Sequence, residues 1–175
     1  MRRAVFLDRD GVINRAIVRD NRPYSPATLA ELEILPGVYE ALQMLHAANF
    51  LLIVVTNQPD VARGTAKQED IEEMNNLLAS QLPIDDFKIC YHDVGDNCFC
   101  RKPLPGALLQ AAKQYNVDLS SSFMIGDRWR DIEAGASAGC KTFFINYHYE
   151  EKRPEMPDFI VPSLLEAKNI ILGQF

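Results

Sequence analysis

No apolar run in this 175-residue sequence approaches the roughly 20 residues that a membrane-spanning helix requires. The longest run covers residues 50–55, which is the length of a strand. The N-terminal segment has only four consecutive apolar residues before Asp8, whereas a secretory signal needs an apolar region of roughly 7–15 residues. We therefore expect a cytoplasmic protein that has no membrane partner.

The sequence also lacks an excess of positive charge. Its 18 Lys and Arg residues are outnumbered by 24 Asp and Glu residues, which gives a formal net charge of −6. This balance argues against a nucleic-acid partner, because nucleic-acid phosphates attract basic surfaces. Internal repeats, low-complexity segments and Gly/Ser-rich linkers are absent too. The length then favours a single domain over residues 1–175, and we expect it to act as a monomer.

The sequence does contain a regular alternation of short apolar runs and helical patterns. The runs are continuous, which is typical of parallel strands covered on both faces. They cover residues 4–7, 51–55, 87–91, 123–125 and 142–145. Helices are predicted from Pro36, from a capping box at 65–68, over 104–115, over 131–138, and from a capping box at 163–166. This order predicts an α/β protein with a three-layer, doubly wound parallel sheet.

Polar side chains follow the predicted strands at the points where the strands end. Asp8 and Asp10 come after the first strand, and Asp127 comes after the fourth. Because ligands of open α/β sheets bind beyond the carboxyl ends of the strands, these carboxylates should meet at one edge. Such a cluster usually holds a hard cation, and Mg²⁺ fits a site that also handles phosphate. Thr56 and Lys102 would supply donors for phosphoryl oxygens.

Each of these features has an ordinary structural explanation when it stands alone. An Asp-x-Asp sequence after a strand is usually a turn or a helix cap, and Thr56 with Asn57 is a common capping pair. An isolated lysine such as Lys102 is usually solvated. All the features occur in order, each at a predicted strand end or in the following loop, and this combination favours a phosphate site.

In this combination the chain resembles the haloacid dehalogenase-like superfamily. The matching motifs are Leu7-Asp8-Arg9-Asp10-Gly11-Val12, Thr56, Lys102, and Gly126-Asp127 with Asp131. The resemblance implies a Rossmann-like fold and a phosphatase that works through an aspartyl-phosphate intermediate. Asp8 would be the nucleophile, and Asp10 would protonate the leaving oxygen and then activate water. Thr56 and Lys102 would hold the transferring phosphoryl group.

The same resemblance implies a metal site. Mg²⁺ would bind Asp8, the Asp10 carbonyl and Asp127, and Asp131 would support Lys102 or the metal-bound waters. Because a proton donor must be close to neutral, we expect the surroundings of Asp10 to raise its pKa.

Residues 90–100 contain three of the four cysteines and one histidine in a C-x-H-x5-C-x-C pattern. Three thiolates and one imidazole are the ligands of a closed, structural zinc site. The alternative is three buried free cysteines with an unrelated histidine. Since Lys102 follows directly, a zinc-bound loop would fix the backbone that presents it. The four candidate ligands are Cys90, His92, Cys98 and Cys100.

The zinc pattern joined to Cys-Arg-Lys-Pro narrows the resemblance to one branch of the superfamily, which includes heptose 1,7-bisphosphate phosphatases and histidinol-phosphate phosphatases. Residues 8–14, 56–58 and 62–64 resemble the sugar-bisphosphate enzymes, which implies a sugar bisphosphate as substrate. The five-residue spacing between His92 and Cys98 is more similar to the histidinol-phosphate enzymes, so histidinol phosphate or another small phosphomonoester is the alternative. A non-enzymatic binding module is the third possibility, and the intact motif residues weigh against it.

Substrate selection should depend on the loops after the strands, because the chain has no room for a large cap domain. Arginine suits a second phosphate, since its guanidinium binds phosphate with two hydrogen bonds. The candidate substrate-binding residues are Asn57, Gln58, Arg63 and Arg101. The loops also contain Arg15, Arg19, Arg22, Arg128 and Arg130. At least half of the loop arginines are expected to be solvated.

Overall fold

The computed structural model describes residues 1–173. In chain order the elements are β1 (Arg3–Leu7), β2 (Ile17–Arg19), β3 (Arg22–Tyr24), α1 (Val38–Ala47), β4 (Phe50–Asn57), α2 (Gln68–Gln81), β5 (Asp86–Cys90), α3 (Gly106–Tyr115), β6 (Phe123–Gly126), α4 (Trp129–Ala138), β7 (Lys141–Ile145), β8 (Phe159–Val161) and α5 (Leu164–Gly173). Short 3₁₀ turns lie at Leu29–Glu31 and Leu119–Ser121. None of the helices in this part of the chain combines the length and the apolar character that a membrane span requires.

The main sheet consists of parallel strands in the order β5-β4-β1-β6-β7-β8. The chain starts at the central strand β1 and builds outward on both sides, so the sheet is doubly wound. This confirms the fold class predicted from the sequence. The described segment between β1 and β4 contains the hairpin β2–β3 and α1 rather than a cap domain.

Alternate strand residues fill two apolar layers, one on each face of the sheet. Val5 and Leu7 of β1 point into a core that includes side chains of α1 and α5. Ala4 and Phe6 point to the other face, where α3 and α4 complete a second core. Because both faces are covered, the strands are continuously apolar, as the sequence pattern indicated.

The helix boundaries differ from the predictions by a few residues. α1 begins at Val38 and not at Pro36, because Gly37 at its N-cap has a left-handed backbone with φ of 78°. α3 begins two residues later than predicted, and α4 begins two residues earlier.

The capping box predicted at residues 65–68 is wrong. Lys67 is the N-cap of α2, and it makes no side-chain capping bond. The Thr65 hydroxyl instead donates to the Asp60 carbonyl at 3.2 Å, which closes the preceding loop on itself. A serine or threonine bonds to a turn as readily as to a helix end, and here the turn is favoured.

The hairpin β2–β3 and the edge strand β8 were not predicted. Each of these strands has only three residues, which is shorter than the runs of about 4–8 residues by which strands are recognised, and β3 also contains Pro23. Asp20 and Asn21 form the hairpin turn with φ of 48° and 55°. Asn and Asp tolerate this left-handed conformation, which two-residue hairpin turns require.

Candidate active site

The carboxyl ends of β1, β4 and β6 lie side by side because these strands are neighbours in the sheet. They place Asp8, Thr56 and Asp127 at one edge, where the loop after β5 adds Lys102. A cavity of about 480 Å³ opens above this edge, and Asp8, Asp10, Asp127 and Lys102 line it. The sequence-predicted motif residues are therefore gathered around one cavity.

Lys102 bridges two of the carboxylates. Its Nζ lies 2.8 Å from Asp8 Oδ1 and 2.6 Å from Asp131 Oδ1, and it donates to the Val55 carbonyl at 2.6 Å. Burial would lower the pKa of Lys102, but Asp131 and Asp8 outweigh burial and raise it, so the ammonium stays charged. Burial raises the pKa of Asp8 to about 7; Asp131 adds to this rise and Lys102 opposes it.

Asp127 lies in the same cluster without a comparable cation. Oxygens of Asp8, Asp127 and Asp131 all lie within 4.8 Å of one another. Neither oxygen of Asp127 has a hydrogen-bond partner of ordinary geometry within residues 1–173. Burial, Asp8 and Asp131 raise its pKa well above the usual value, and the nearby Tyr149 and Arg128 offset only part of this rise. A buried carboxylate of this kind needs a partner, and a hard divalent cation with oxygen ligands, such as Mg²⁺, fits the place.

Two glycines make room for these carboxylates. Gly11 has φ of 87°, and a Cβ at this position would overlap the carboxylate of Asp127. A Cβ on Gly126 would overlap the Asp131 side chain. The glycine of each motif is therefore required by the close approach of an acidic side chain.

Asp10 is surrounded by hydrogen-bond donors. Its Oδ1 accepts from Arg9 Nε at 3.1 Å and from Asn14 Nδ2 at 3.0 Å. Its Oδ2 accepts from Ser25 Oγ at 2.6 Å and from Gln58 Nε2 at 3.0 Å. Burial would raise the pKa of Asp10, but the charge of Arg9 and these hydrogen bonds outweigh burial and lower it. The expectation of a raised pKa is therefore wrong for the protein without substrate, because the donors stabilise the carboxylate form.

Two of the predicted substrate-binding residues contact other site residues instead of projecting donors into the cavity. Asn57 lines the cavity, but its Nδ2 donates to the Lys102 carbonyl at 3.0 Å and its Oδ1 accepts from the Lys102 amide at 3.1 Å. Gln58 is 1% exposed and donates to Thr56 Oγ1 at 3.0 Å as well as to Asp10. In the protein without substrate, Asn57 therefore holds the backbone of Lys102 and Gln58 contacts Asp10 and Thr56, while their binding to substrate stays a prediction.

The two predicted arginines lie at the cavity. Arg63 makes a two-pronged ion pair with Asp93 at 2.7 and 2.8 Å, and Arg101 donates to the His92 carbonyl at 3.0 Å. The expectation that at least half of the seven loop arginines are merely solvated is wrong, since five line the cavity. They are Arg22, Arg63, Arg101, Arg128 and Arg130. Such a concentration of guanidinium groups favours an anionic ligand.

Arg130 is the guanidinium on which the neighbouring positive charges act against the charged form. Burial together with Arg128 and Arg101 lowers its pKa. Arg128 is paired with Glu151 at 3.0 Å, whereas Arg130 makes no ion pair with a carboxylate in the described part of the chain. Its guanidinium lies 4.7 Å from the ring centre of Trp129. An anion in the cavity would relieve the repulsion among these cations.

Sequence reasoning missed several residues of the cavity wall. Ser25 at the end of the hairpin β2–β3 donates to Asp10, and Glu151 pairs with Arg128 from the loop after β7. No motif marks Ser25 or Glu151, because their positions depend on how two irregular loops fold over the sheet.

The Cys/His pattern forms a second cluster, at the end of β5. Sγ of Cys90 lies 3.8 Å from Sγ of Cys98 and 3.1 Å from Sγ of Cys100, and 3.5 Å from Nδ1 of His92. All four ligand atoms lie within 4.8 Å of one another. Tetrahedral zinc with Zn–S bonds of about 2.3 Å separates its sulfurs by about 3.8 Å, so these residues fit a zinc ion. Cys140 lies apart, buried in the second core.

Comparison with known proteins defines the class. Residues 13–139 match the family model of the haloacid dehalogenase-like hydrolases. The chain belongs to this hydrolase family, which confirms the resemblance inferred from its motifs.

The names of individual similar proteins are more specific than the name of the family. The chain is 36% identical over 154 residues to D-glycero-beta-D-manno-heptose-1,7-bisphosphate 7-phosphatase of Rhodopseudomonas palustris, covering 81% of this chain and 82% of the relative. It is 34% identical over 148 residues to the alpha-anomer 7-phosphatase of Campylobacter jejuni, covering 82% and 81%. The crystal structure of D,D-heptose 1,7-bisphosphate phosphatase from B. bronchiseptica, complexed with magnesium and phosphate, superposes with a TM-score of 0.85 at 29% identity and 99% coverage of both chains.

Proposed function

We propose that this protein is a Mg²⁺-dependent phosphatase that removes the 7-phosphate of D-glycero-D-manno-heptose 1,7-bisphosphate through an aspartyl-phosphate. The observation that carries the proposal is the buried contact between Asp8 and Lys102 at the floor of an arginine-lined cavity. The relatives named for this reaction, and the structure that holds magnesium and phosphate, support the substrate and the metal.

In the first step, an oxygen of Asp8 would attack the phosphorus of the substrate. A bond forms between Asp8 and phosphorus, the ester bond between phosphorus and the sugar oxygen breaks, and Asp10 gives its proton to that leaving oxygen. The products are the sugar with a free hydroxyl at this position and Asp8 carrying the phosphoryl group. Asp10 has a lowered pKa in the free protein. It would gain its proton as the negatively charged phosphate enters beside it, because a nearby negative charge raises a carboxyl pKa.

In the second step, Asp10 would take a proton from water while the water oxygen attacks the phosphorus. The bond between phosphorus and Asp8 breaks, which releases phosphate and restores the Asp8 carboxylate. Lys102 lies beside Asp8 and stays charged, so it would neutralise the phosphoryl oxygens in both steps. Asp131 would hold Lys102 in place through its 2.6 Å contact.

Mg²⁺ would be held by Asp8, by the Asp10 carbonyl and by Asp127, and when bound it supplies positive charge that neutralises phosphoryl oxygens. The buried oxygens of Asp127, which have no hydrogen-bond partner of ordinary geometry in residues 1–173, support this ligand. Thr56 is buried at the end of β4 and its hydroxyl accepts from Gln58. It would turn this hydroxyl toward a phosphoryl oxygen.

A second phosphate on the substrate accounts for the number of arginines. One phosphoryl group beside Asp8 is served by Lys102 and the metal, which leaves the arginines of the cavity wall for the 1-phosphate. Arg101 and Arg130 would bind it, since both line the cavity and Arg130 makes no ion pair within residues 1–173. Histidinol phosphate carries one phosphate and would leave these cations without an anion.

The Cys/His cluster would hold a structural Zn²⁺. Its ligands leave no open position for chemistry, because three thiolates and one imidazole complete the tetrahedron. The loop it closes runs into Lys102 and carries Asp93, which pairs with Arg63 of the cavity wall. Zinc would therefore hold both the phosphate-binding lysine and one wall of the cavity. We also propose that residues 1–175 form one cytoplasmic, monomeric domain.

A substrate panel with Mg²⁺ tests the proposal. It compares both anomers of heptose 1,7-bisphosphate with histidinol phosphate, fructose 1,6-bisphosphate and p-nitrophenyl phosphate. A charged hydrogen bond to the second phosphate is worth about 1.5–3 kcal/mol, so kcat/KM for one heptose anomer should exceed that of monophosphates by about 10-fold or more. Comparable, slow turnover of all five compounds would contradict the sugar-bisphosphate assignment, and preference for histidinol phosphate would favour the alternative.

A further inference from the structure

Arg9, between the two aspartates of the first motif, is a buried cation. Its side chain is 0% exposed, and it is the largest side chain that is fully buried in the described residues. It does not line the cavity, so it is not available to a substrate phosphate. Burying a guanidinium is costly unless charge and hydrogen bonds compensate, and its partners therefore indicate what it does.

Those partners lie on two different elements. Arg9 Nε donates to Asp10 Oδ1 at 3.1 Å, and Nη2 lies 3.0 Å from the same oxygen without an aligned hydrogen bond. Arg9 Nη1 donates to Oδ1 of Asn75 at 3.0 Å. Asn75 is a buried residue of α2. The guanidinium thus connects the carboxylate of Asp10 to α2, and neither Arg9 nor Asn75 is among the residues that line the cavity.

This contact restricts how the Asp10 carboxylate can turn. Arg9 contacts Oδ1, whereas Oδ2 is contacted by Ser25 of the hairpin β2–β3 and by Gln58. A rotation of the carboxylate would break the contact with Arg9 and leave a buried cation without its anion. Because Arg9 is itself fixed by Asn75, the preferred orientation of Asp10 is set before substrate arrives.

We propose that Arg9 is a positioning residue that holds the Asp10 carboxyl in line with the leaving oxygen of the substrate. The inference rests on the proposed function, in which Asp10 transfers its proton to the sugar oxygen as the ester bond breaks and the Asp8–phosphorus bond forms. Arg9 does not line the cavity, and its contact with the reacting groups is with the Asp10 carboxylate, so it acts through Asp10.

The test uses two leaving groups. An alkoxide leaving group needs the proton of Asp10, whereas p-nitrophenolate leaves without one. In Arg9→Met, kcat/KM for the sugar bisphosphate should fall about 10- to 100-fold, which is part of the 10²–10⁴ that general acid catalysis provides, while kcat/KM for p-nitrophenyl phosphate should change less than about threefold. Arg9→Lys keeps the charge and should recover part of the loss.

Matched variants separate positioning from general damage. Asn75→Leu removes only the hydrogen bond that anchors Arg9, because the Nδ2 of Asn75 has no hydrogen-bond partner in residues 1–173. This variant should lower kcat/KM for the sugar bisphosphate relative to p-nitrophenyl phosphate, as Arg9→Met does, but by a smaller factor. Thr142→Val is the control: Thr142 is also buried and bonded to Asp158 at 2.9 Å, neither residue lines the cavity, and the variant should leave the ratio unchanged.

Circular dichroism and thermal melting establish whether each variant folds. If Arg9→Met does not fold, the ratio in Asn75→Leu decides: a raised preference for p-nitrophenyl phosphate supports the proposal, and an unchanged ratio overturns it. Equal losses on both substrates in folded Arg9→Met would also overturn it, since they indicate a structural role. If the wild-type protein hydrolyses no phosphomonoester, both this proposal and the proposed function fail, whereas turnover with an unchanged ratio overturns this proposal alone.

Discussion

The ammonium nitrogen of Lys102 lies 2.8 Å from an oxygen of Asp8, and both side chains are buried beneath the cavity. Burial favours the neutral form of Asp8, while Lys102 favours the carboxylate that attack on phosphorus requires. Lys102 therefore stabilises the Asp8 carboxylate, the nucleophile, in a buried place where water could not. The surrounding carboxylates add a further requirement for positive charge.

Lys102→Met should cost both stability and turnover. The change leaves Asp8 and Asp131 as close carboxylates without their cation, and breaking a buried ion pair typically costs about 3–5 kcal/mol of unfolding free energy. Turnover should fall by about 10²–10³, which is the usual effect of removing a donor to the transition state. Urea unfolding and steady-state kinetics measure the two effects. Lys152→Met, which breaks a surface pair with Glu133, should stay within about 1 kcal/mol, and equal effects of the two variants would argue against a special role for Lys102.

Stabilisation by Mg²⁺ should depend on pH through Asp8. Burial raises the pKa of Asp8 from 3.8 to about 7, so without metal the folded protein binds a proton that the unfolded chain releases between these values. Asp8 therefore makes metal-free stability increase as pH falls from about 7 toward about 4, and Asp127 acts in the same direction. Mg²⁺ requires the ionised carboxylates, so the rise in Tm that it causes should be largest above pH 7 and shrink below it.

Melting curves with Mg²⁺ or with a chelator, on both sides of pH 7, measure this effect. Asp8→Asn provides the matched control, because it keeps the shape of the side chain and removes its charge. The variant should show a smaller Mg²⁺ effect with less pH dependence. A Tm rise of the same size at every pH in the wild type would contradict the assigned metal ligands.

Cys98→Ser should release zinc and weaken catalysis. The thiolate of Cys98 is one of four ligands, and a site with three ligands binds zinc far less tightly. Because the loop leads into Lys102, turnover should fall together with the zinc content, which elemental analysis measures. Cys140→Ser changes a cysteine that lies outside the cluster, so this variant should keep both its zinc and its turnover. Full activity in a zinc-free Cys98→Ser protein would show that the loop does not need the metal to present Lys102.

Arg130→Gln should discriminate between one phosphate and two. If Arg130 binds the 1-phosphate, kcat/KM for the bisphosphate should fall about 10- to 100-fold, the value of a charged hydrogen bond. p-Nitrophenyl phosphate has no second phosphate and should be affected little. Arg15→Gln is the control, since Arg15 is exposed, paired with Glu33 at 2.9 Å and absent from the cavity wall. Equal loss with both substrates would assign Arg130 to the reacting phosphate or to stability instead.

The motif residues could be predicted because strand ends are readable from sequence. Continuous apolar runs mark buried parallel strands, and the polar residue after each run lies at the carboxyl edge of the sheet. Asp8 and Asp127 follow neighbouring strands, which brings them together whatever the loops do. The spacing of Cys90 and His92, and of Cys98 and Cys100, likewise limits which side chains can meet.

The remaining parts of the site depend on tertiary structure. Ser25 reaches Asp10 only because the hairpin β2–β3 folds over the sheet edge, and its three-residue strands carry no pattern. The lowered pKa of Asp10 depends on Arg9, whose burial could not be inferred from its position between two acidic residues. Gln58 was assigned to the substrate for its place after a strand, but its amide is already occupied within the protein.

In the proposed mechanism, Asp8 carries the phosphoryl group between the two steps. In Asp10→Asn, p-nitrophenyl phosphate should still phosphorylate the enzyme, because its leaving group needs no proton, while hydrolysis of the intermediate should be slow. Acid quenching followed by mass spectrometry of the peptides should then find one phosphoryl group on Asp8. A phosphoryl group on any other residue would contradict this role of Asp8. So would the absence of any phosphorylated residue while p-nitrophenolate is released at the wild-type rate.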